Sequence, residues 1–417
     1  MLEWLNYLGG TEMKKQLTIF LVIAMLVSAI SGCTTGSTGS PENEEGFGDV
    51  EIWYYWETPG HQAALDDLIG KYNATNPGTT VVAKYVPFAD FKKQLSLGAS
   101  ADTLPDVVII DSPDHASYAT MGIFEDITDK FDVSLYFDGP VASCTLDGRL
   151  YGIPFGSNCL SLYYNVDMLS DAGVTPPTTW DELREVSKKL TKDNVYGIAL
   201  SSVQNEEGTF NFMPWVWSTG ATSFEIGTEK GIRALDFIGG LVKDGSMPKE
   251  AINWTQGDVM NQFISGNLAM MVNGPWQVPG MRENAPDLNW DVALIPKDAQ
   301  FASVLGGENY AVIAGGNVDG ALSFLEFASE PDNTKAMMSA MGYIAARSDI
   351  ANGQFADDPI MQKFVDQLQY AQPRGPHAEW PGISDAISLA FNEVITGSSS
   401  AEDAGKKAQA TIDAIVK

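Results

Sequence analysis

Cationic side chains are scarce. Only 25 Lys plus Arg stand against 54 Asp plus Glu, a formal net charge of −29. A nucleic-acid binder needs a basic footprint, and binding to an anionic membrane surface needs a polybasic one; no stretch supplies either. Histidine and cysteine number three each: His61, His115 and His377, and Cys33, Cys144 and Cys159. None of these form a cluster with zinc spacing, so no metal site is expected. A Walker loop, a Gly-x-Gly-x-x-Gly turn, a nucleophile elbow and a His-Glu-x-x-His helix are all missing, which disfavours the common single-motif enzymes. No cofactor is expected. What is present is globular: 44% apolar and 19% charged residues, far from the profile of a disordered chain. A length of 417 residues suits two or three domains at about 150 residues each.

The apolar run Leu17 to Ile30 follows Lys14-Lys15 and ends at Ser31-Gly32-Cys33. A basic start, a short apolar stretch and small residues before a cut fit a secretory signal over residues 1–32. The run is short for a bilayer span. Met13, just ahead of the basic pair, is the better start, so translation is expected to begin there and residues 1–12 to be untranslated. A cysteine directly after small residues resembles the lipobox of secreted lipoproteins, so Cys33 is the expected lipid attachment. An incidental Cys behind an ordinary signal and a retained anchor helix are the alternatives; the anchor helix leaves the protein on the same outer face. Residues 33–48 hold Thr, Gly, Ser, Pro and Glu, cannot build a core, and read as a tether. The expected location is therefore the cell surface, outside the cytoplasm, lipid-anchored to the membrane.

From Asp49 onward strands alternate with helices. Val50 to Trp56 reads as an aromatic-rich strand. Leu65, Leu68, Ile69 and Tyr72 follow at helical spacing. Asn76-Pro77-Gly78 is a turn, Thr79 to Val86 a second strand, and Phe88 to Leu97 a second helix. Val107 to Ile110 suits a buried parallel strand. Further on, Leu160 to Tyr164 is strand-like, Thr179-Trp180-Asp181-Glu182 is a capping box, and Tyr196 to Leu200 is another strand. The order implies α/β lobes with parallel sheets. Ligands of such sheets sit beyond the carboxyl ends of strands, which singles out Trp56, Glu57 and Asp111.

Five segments together resemble extracellular solute-binding proteins of the maltose-binding-protein family, receptors of sugar ABC importers. They are Glu51 to Glu57; Pro105 to Asp111; Asp147 to Pro154 with Leu160 to Asn165; Phe263 to Met270 with Asn273-Gly274-Pro275-Trp276; and Gly306-Gly307-Glu308-Asn309 with the helical C-terminus. The resemblance implies a two-lobed periplasmic-binding-protein-like fold of type II with the ligand cleft between lobes. It places residues 49–154 with 297–341 in an amino-terminal lobe, and residues 155–296 with 342–417 in a carboxy-terminal lobe. Crossings are expected near Phe155-Gly156-Ser157, between Ile295-Pro296 and Gly306, and near Gly342 to Arg347. The implied partners are a small-molecule sugar, the importer's membrane subunits and the membrane through the lipid anchor, with the body a monomer.

The same resemblance marks site residues. Trp276 is to stack on a sugar ring, whose C–H face suits a flat aromatic. Glu57 is to accept sugar hydroxyls, and Trp56 beside it is cleft wall or core. Asn158 stands where maltose binders carry a carboxylate, which argues against maltose itself. Asp111 follows a strand end; Asp114 can serve instead, and either can cap a helix. Glu308 and Asn309 lie on the second crossing and Tyr343 on the third. One of Phe210, Trp215 and Trp217 is to reach the ligand; Trp215 is carried as the candidate. Arg374 and Trp380 flank a Pro/Gly-rich loop, where the guanidinium can bridge hydroxyls or balance Glu57.

Cys144 and Cys159 remain once Cys33 is lipidated, and outside the cytoplasm such a pair is expected to be oxidised. Aromatics mixed with Glu, Asp and Asn fit a neutral sugar or oligosaccharide. A polyamine, a glycerol phosphate ester and a secreted glycoside hydrolase are the alternatives. As a binder, the protein is not expected to be an enzyme.

Overall fold

The computed structural model describes residues 46–75 and 78–417. The signal segment, Cys33 and the tether through Glu45 lie outside the described residues. Among those described, no helix is long and apolar enough to cross a membrane.

The chain enters the fold as strand β1 (Gly48–Tyr54), then helix α1 (Pro59–Thr75), β2 (Thr79–Tyr85), α2 (Phe88–Ala101) and β3 (Val107–Asp111). The β-branched runs pair in parallel, β1 with β2 from Gly48–Thr79 to Tyr54–Tyr85, and β1 with β3 at Ile52–Val107. Leu65, Leu68, Ile69 and Tyr72 of α1 are buried, the stripe that their spacing predicts. Every residue of β3 is buried, as for a strand covered on both faces. Strand β4 (Ile153–Pro154) closes the first pass through this lobe. Strands β5 (Gly156–Cys159) and β6 (Ser161–Asn165) open the second lobe, followed by α3 (Trp180–Leu190) and α4 (Glu206–Ser218). Helix α3 starts at the expected capping box, with Thr179 and Glu182 satisfying each other's backbone N–H groups. Then come β7 (Met270–Asn273), β8 (Trp290–Ala293) and β9 (Ser303–Gly306). Strand β10 (Glu308–Val312) and α5 (Pro331–Met341) precede β11 (Ile344–Ala345), β12 (Ala371–Pro373), α6 (Trp380–Thr396) and α7 (Ala401–Ile415). The expected strand at Tyr196 to Leu200 is an extended segment held by single parallel bridges, Tyr196–Leu268 and Ala199–Met271.

The sheets run β2-β1-β3-β10-β4, β8-β6-β7 and β11-β5-β9-β12. The chain thus leaves the first sheet between β4 and β5, at Phe155. It returns between β9 and β10, at Gly306-Gly307. It crosses again between α5 and β11, at Gly342-Tyr343. One boundary differs from the sequence reading. Residues 297–306 pack with the carboxy-terminal half: Leu305 pairs with Cys159 and Pro373, and Trp180 N–H donates to the Lys297 carbonyl. The second crossing is therefore the Gly306-Gly307 pair rather than the segment before it. After Ile295-Pro296 the chain runs one more strand, β9, before leaving.

Gly307 is fixed by its surroundings. Its φ is +140°, and a Cβ there would lie 2.1 Å from the Gly156 carbonyl oxygen on the first crossing. Gly307→Ala is expected to cost at least about 1–3 kcal/mol, measured by urea unfolding; an unchanged midpoint would show that the crossings have slack.

The Cys144–Cys159 disulfide is not formed. Both thiols are free and buried. Cys144 follows the short helix Asp138–Ser143 in the larger core, its Sγ 3.3 Å from the Val141 carbonyl oxygen. Cys159 lies in a second cluster with Tyr163 and Phe364, its Sγ 3.4 Å from the Phe364 carbonyl oxygen. An even count says nothing about which cores the two residues join. Burial pushes the Cys144 thiol up to about 12 and raises Cys159 as well. Alkylation after denaturation without reductant is expected to label both residues; a mass showing neither labelled would restore the disulfide.

Candidate functional site

The strand pairings converge on one place. Asp111 ends β3 directly opposite Glu308, which begins β10. On the other side Asn158 of β5 faces Gly306 of β9, while Tyr343 precedes β11 and Arg374 follows β12. Tyr55, Trp56 and Glu57 leave the end of β1. A cavity with about 850 Å³ of empty space, part of it open to solvent, is lined by all of these and by Trp276, Phe210, Glu206 and Glu207. The lining comes from both halves of the chain; Tyr55 to Glu57 and Asp111 reach it from the carboxyl ends of β1 and β3.

Trp276 sits in the one-turn segment Pro275–Gln277 after β7. Its ring covers Gly274 so closely that a Cβ there would lie 2.0 Å from it. The Phe210 and Tyr343 rings lie 6.0 and 6.4 Å away. Phe210 reaches the cavity from the first turns of α4, a helix buried nearly all round. The same geometry removes Trp215 from the site. Five residues on, it points about 140° away and packs against the stacked Trp180 and Phe237 rings, fully buried. Trp217 shares the face of Phe210 but lies about two turns further along.

Glu308 is the polar centre. Its Oε1 accepts from the Tyr343 hydroxyl at 2.9 Å, Trp56 Nε1 at 3.2 Å and the Tyr55 hydroxyl at 3.3 Å. Burial and the facing Asp111 push its carboxyl up to about 7 against those three donors. Asn309, the next residue, points to the opposite face, as alternation along a strand requires. It donates to Ser143 Oγ at 3.0 Å and does not line the cavity, so the expected ligand contact is withdrawn. Glu57 lines the cavity as expected and is exposed.

Arg374 pairs with carboxylates other than Glu57. Its guanidinium holds both oxygens of Asp111 at 2.8 Å, donates to Glu206 Oε1, and lies 4.5 Å over the Phe210 ring. Asp111 belongs to the amino-terminal lobe; Arg374 and Glu206 belong to the other. Lys92 adds a second link, 2.9 Å from Asp114 and 3.9 Å from Glu206. Burial pushes Asp114 up to about 7 despite Lys92. Trp380 is fully buried behind this network, its Nε1 donating to Glu206 Oε2 at 2.9 Å. It positions that carboxylate and does not line the cavity.

The sequence reading missed Tyr55, His61, Glu206 and Glu207. His61 Nε2 lies 3.0 Å from the Met341 carbonyl oxygen, and burial lowers its pKa to about 4, so the ring is neutral. Glu207 accepts from the Gln256 N–H, and burial pushes it up to about 7. The strand-end rule that found Trp56 and Asp111 also points at Glu206 and Glu207, just after the extended Tyr196–Leu200 segment, when applied to the second lobe. Among the described residues, no group of three or more His, Cys, Asp or Glu is arranged to hold a metal ion.

Two α/β lobes joined by three crossings, with a cleft lined from both, define a ligand-binding protein of the two-lobed kind. A family model described as bacterial extracellular solute-binding protein matches residues 67–363, and the chain belongs to that family. It is 28% identical over 380 residues to the lactose-binding protein of Rhizobium radiobacter, across 83% of this chain and 86% of the relative. It is 27% identical over 371 residues to the maltotriose-binding protein of Pyrococcus abyssi, across 83% and 78%. Among solved structures, an ABC transporter solute-binding protein from Thermotoga lettingae bound with α-D-tagatose superposes with a TM-score of 0.83 at 24% identity. That match covers 89% of this chain and all of the other.

Proposed function

We propose that the protein captures a neutral sugar or short oligosaccharide between its lobes and hands it, unaltered, to the membrane subunits of an ABC importer. It works outside the cytoplasm, held to the membrane by a lipid on Cys33. The observation that carries the reading is the pairing in one cleft of the Trp276 face with carboxylate and amide acceptors. A pyranose presents a C–H face to the first and hydroxyls to the second. The sugars named for the relatives support the same class.

An anionic ligand such as a glycerol phosphate ester fits poorly. Arg374 is the only Lys or Arg in the lining, and Asp111 and Glu206 already occupy it. A polyamine is the second reading, favoured by the carboxylates Glu57, Asp111, Glu206, Glu207 and Glu308 in the same lining. A thermal-shift screen separates them. A ligand at 100 times its Kd adds about 2.7 kcal/mol, so a neutral disaccharide or trisaccharide is expected to raise Tm while spermidine and glycerol 3-phosphate do not. A shift with spermidine alone would move the assignment to polyamines.

A further inference from the structure

The hydrogen bonds around Glu308 have a direction. Tyr343 gives its proton to Glu308 Oε1, so its oxygen is left to accept, and the Asn158 side chain is its hydrogen-bonding neighbour. Only the Asn158 amide nitrogen can donate there, which fixes the amide orientation. Two lining atoms then remain buried without a partner, Glu308 Oε2 and Asn158 Oδ1. Both are acceptors, on side chains 6% and 3% exposed. The third unpartnered polar atom of the lining, Arg374 Nε, is a donor.

A buried acceptor without a donor costs free energy, and an ionised one costs more. We infer that Glu308 and Asn158 form an acceptor pair that reads hydroxyl donors on the ligand, so that this end of the cleft selects a free sugar diol over an ether, carboxylate or phosphate. The inference rests on the sugar reading and names which part of the sugar is inspected. A hydroxyl can donate to either member of the pair. An ether or phosphate oxygen can only accept. Glu308 also begins β10 directly after the Gly306-Gly307 crossing, and its Oε1 gathers Tyr55 and Trp56 from one lobe and Tyr343 from the third crossing. A ligand held on Oε2 therefore adds to contacts that span the two lobes, and only such contacts favour the closed form.

The group's charge gives a second readout. Oε1 is filled by three donors, so a proton taken up by Glu308 goes to Oε2 and turns that acceptor into a donor. The groups facing Glu308 are Asp111 across the strand pair, Tyr55 and Trp56 from the end of β1, and Tyr343. Behind them stand neutral His61 and Arg374, which is bound to Asp111. A ligand that donates to Oε2 binds the ionised form, so affinity weakens as pH falls through about 7.

The test is titration calorimetry with lactose and maltotriose, then with the monodeoxy and mono-O-methyl series of whichever binds. For wild-type protein, at least one position is expected to lose about 10- to 100-fold in affinity when its hydroxyl is removed or methylated. Glu308→Gln, which turns an amide donor toward the cleft, is expected to lose a similar factor. It should also be indifferent to the same ligand change and lack part of the wild-type slope between pH 6 and 8. Tolerance of every deoxy and methyl position, or undiminished binding by Glu308→Gln, overturns the inference. The ligand series needs no mutant, so misfolding of the variant would not hide the answer. If neither sugar binds wild-type protein, the sugar reading itself fails, and the acceptor pair falls with it.

Discussion

Arg374→Met is expected to lower the stability of the ligand-free protein by about 3–5 kcal/mol at neutral pH. The guanidinium is 4% exposed and joins Asp111 of one lobe to Glu206 of the other. Removing it strands two buried carboxylates side by side. Lys92 cannot replace it, because its ammonium is already 2.9 Å from Asp114 and reaches Glu206 only at 3.9 Å. The deficit is expected to shrink as pH falls, because Asp111, already pushed up by burial, then takes a proton and no longer needs a partner. Urea unfolding across pH measures the loss. Small-angle scattering shows whether part of it appears as opening of the lobes, with a larger radius of gyration in the free variant. A variant as stable and as compact as the parent, but weakened in sugar affinity, would mean that Arg374 serves the ligand and not the lobes.

Trp276→Ala is expected to weaken sugar binding by about 1–3 kcal/mol, the usual cost of losing a desolvated aromatic anchor. Its ring lies over Gly274 and borders the cleft beside Phe210 and Tyr343. The unfolding midpoint of the free protein should move much less, because the space vacated opens into the cleft and does not leave a sealed void. Calorimetry and urea unfolding on the same preparation separate the two. A variant that unfolds readily yet binds sugar at parental strength would make Trp276 a core residue.

The first lobe was legible because its signals are local. The β-branched runs at Val50 and Val107 and the Leu65, Leu68, Ile69 stripe state their own periods, and the strand-end rule then reaches Trp56, Glu57 and Asp111 without further help. The second lobe was less so. Helix α4 is buried on nearly every side, so no exposed face tells Phe210 from Trp215; only the packing of Trp180 and Phe237 against Trp215 decides. Asn309 and Glu308 are adjacent, and their opposite roles follow from strand alternation once β10 is known to begin at Glu308. The fate of Arg374, Trp380 and Cys159 depends on partners from 168 to 263 residues away. No local pattern encodes which buried carboxylate or which core will receive them.

Titration calorimetry of the purified protein with a neutral sugar found in the screen, followed by recovery of that sugar, tests the central claim most directly. One sugar per chain, a heat that saturates, and sugar recovered chemically intact after prolonged incubation are the predicted results. Continued heat with the appearance of shorter sugars would contradict it, and would turn the carboxylates of the cleft into the catalytic pair of a hydrolase.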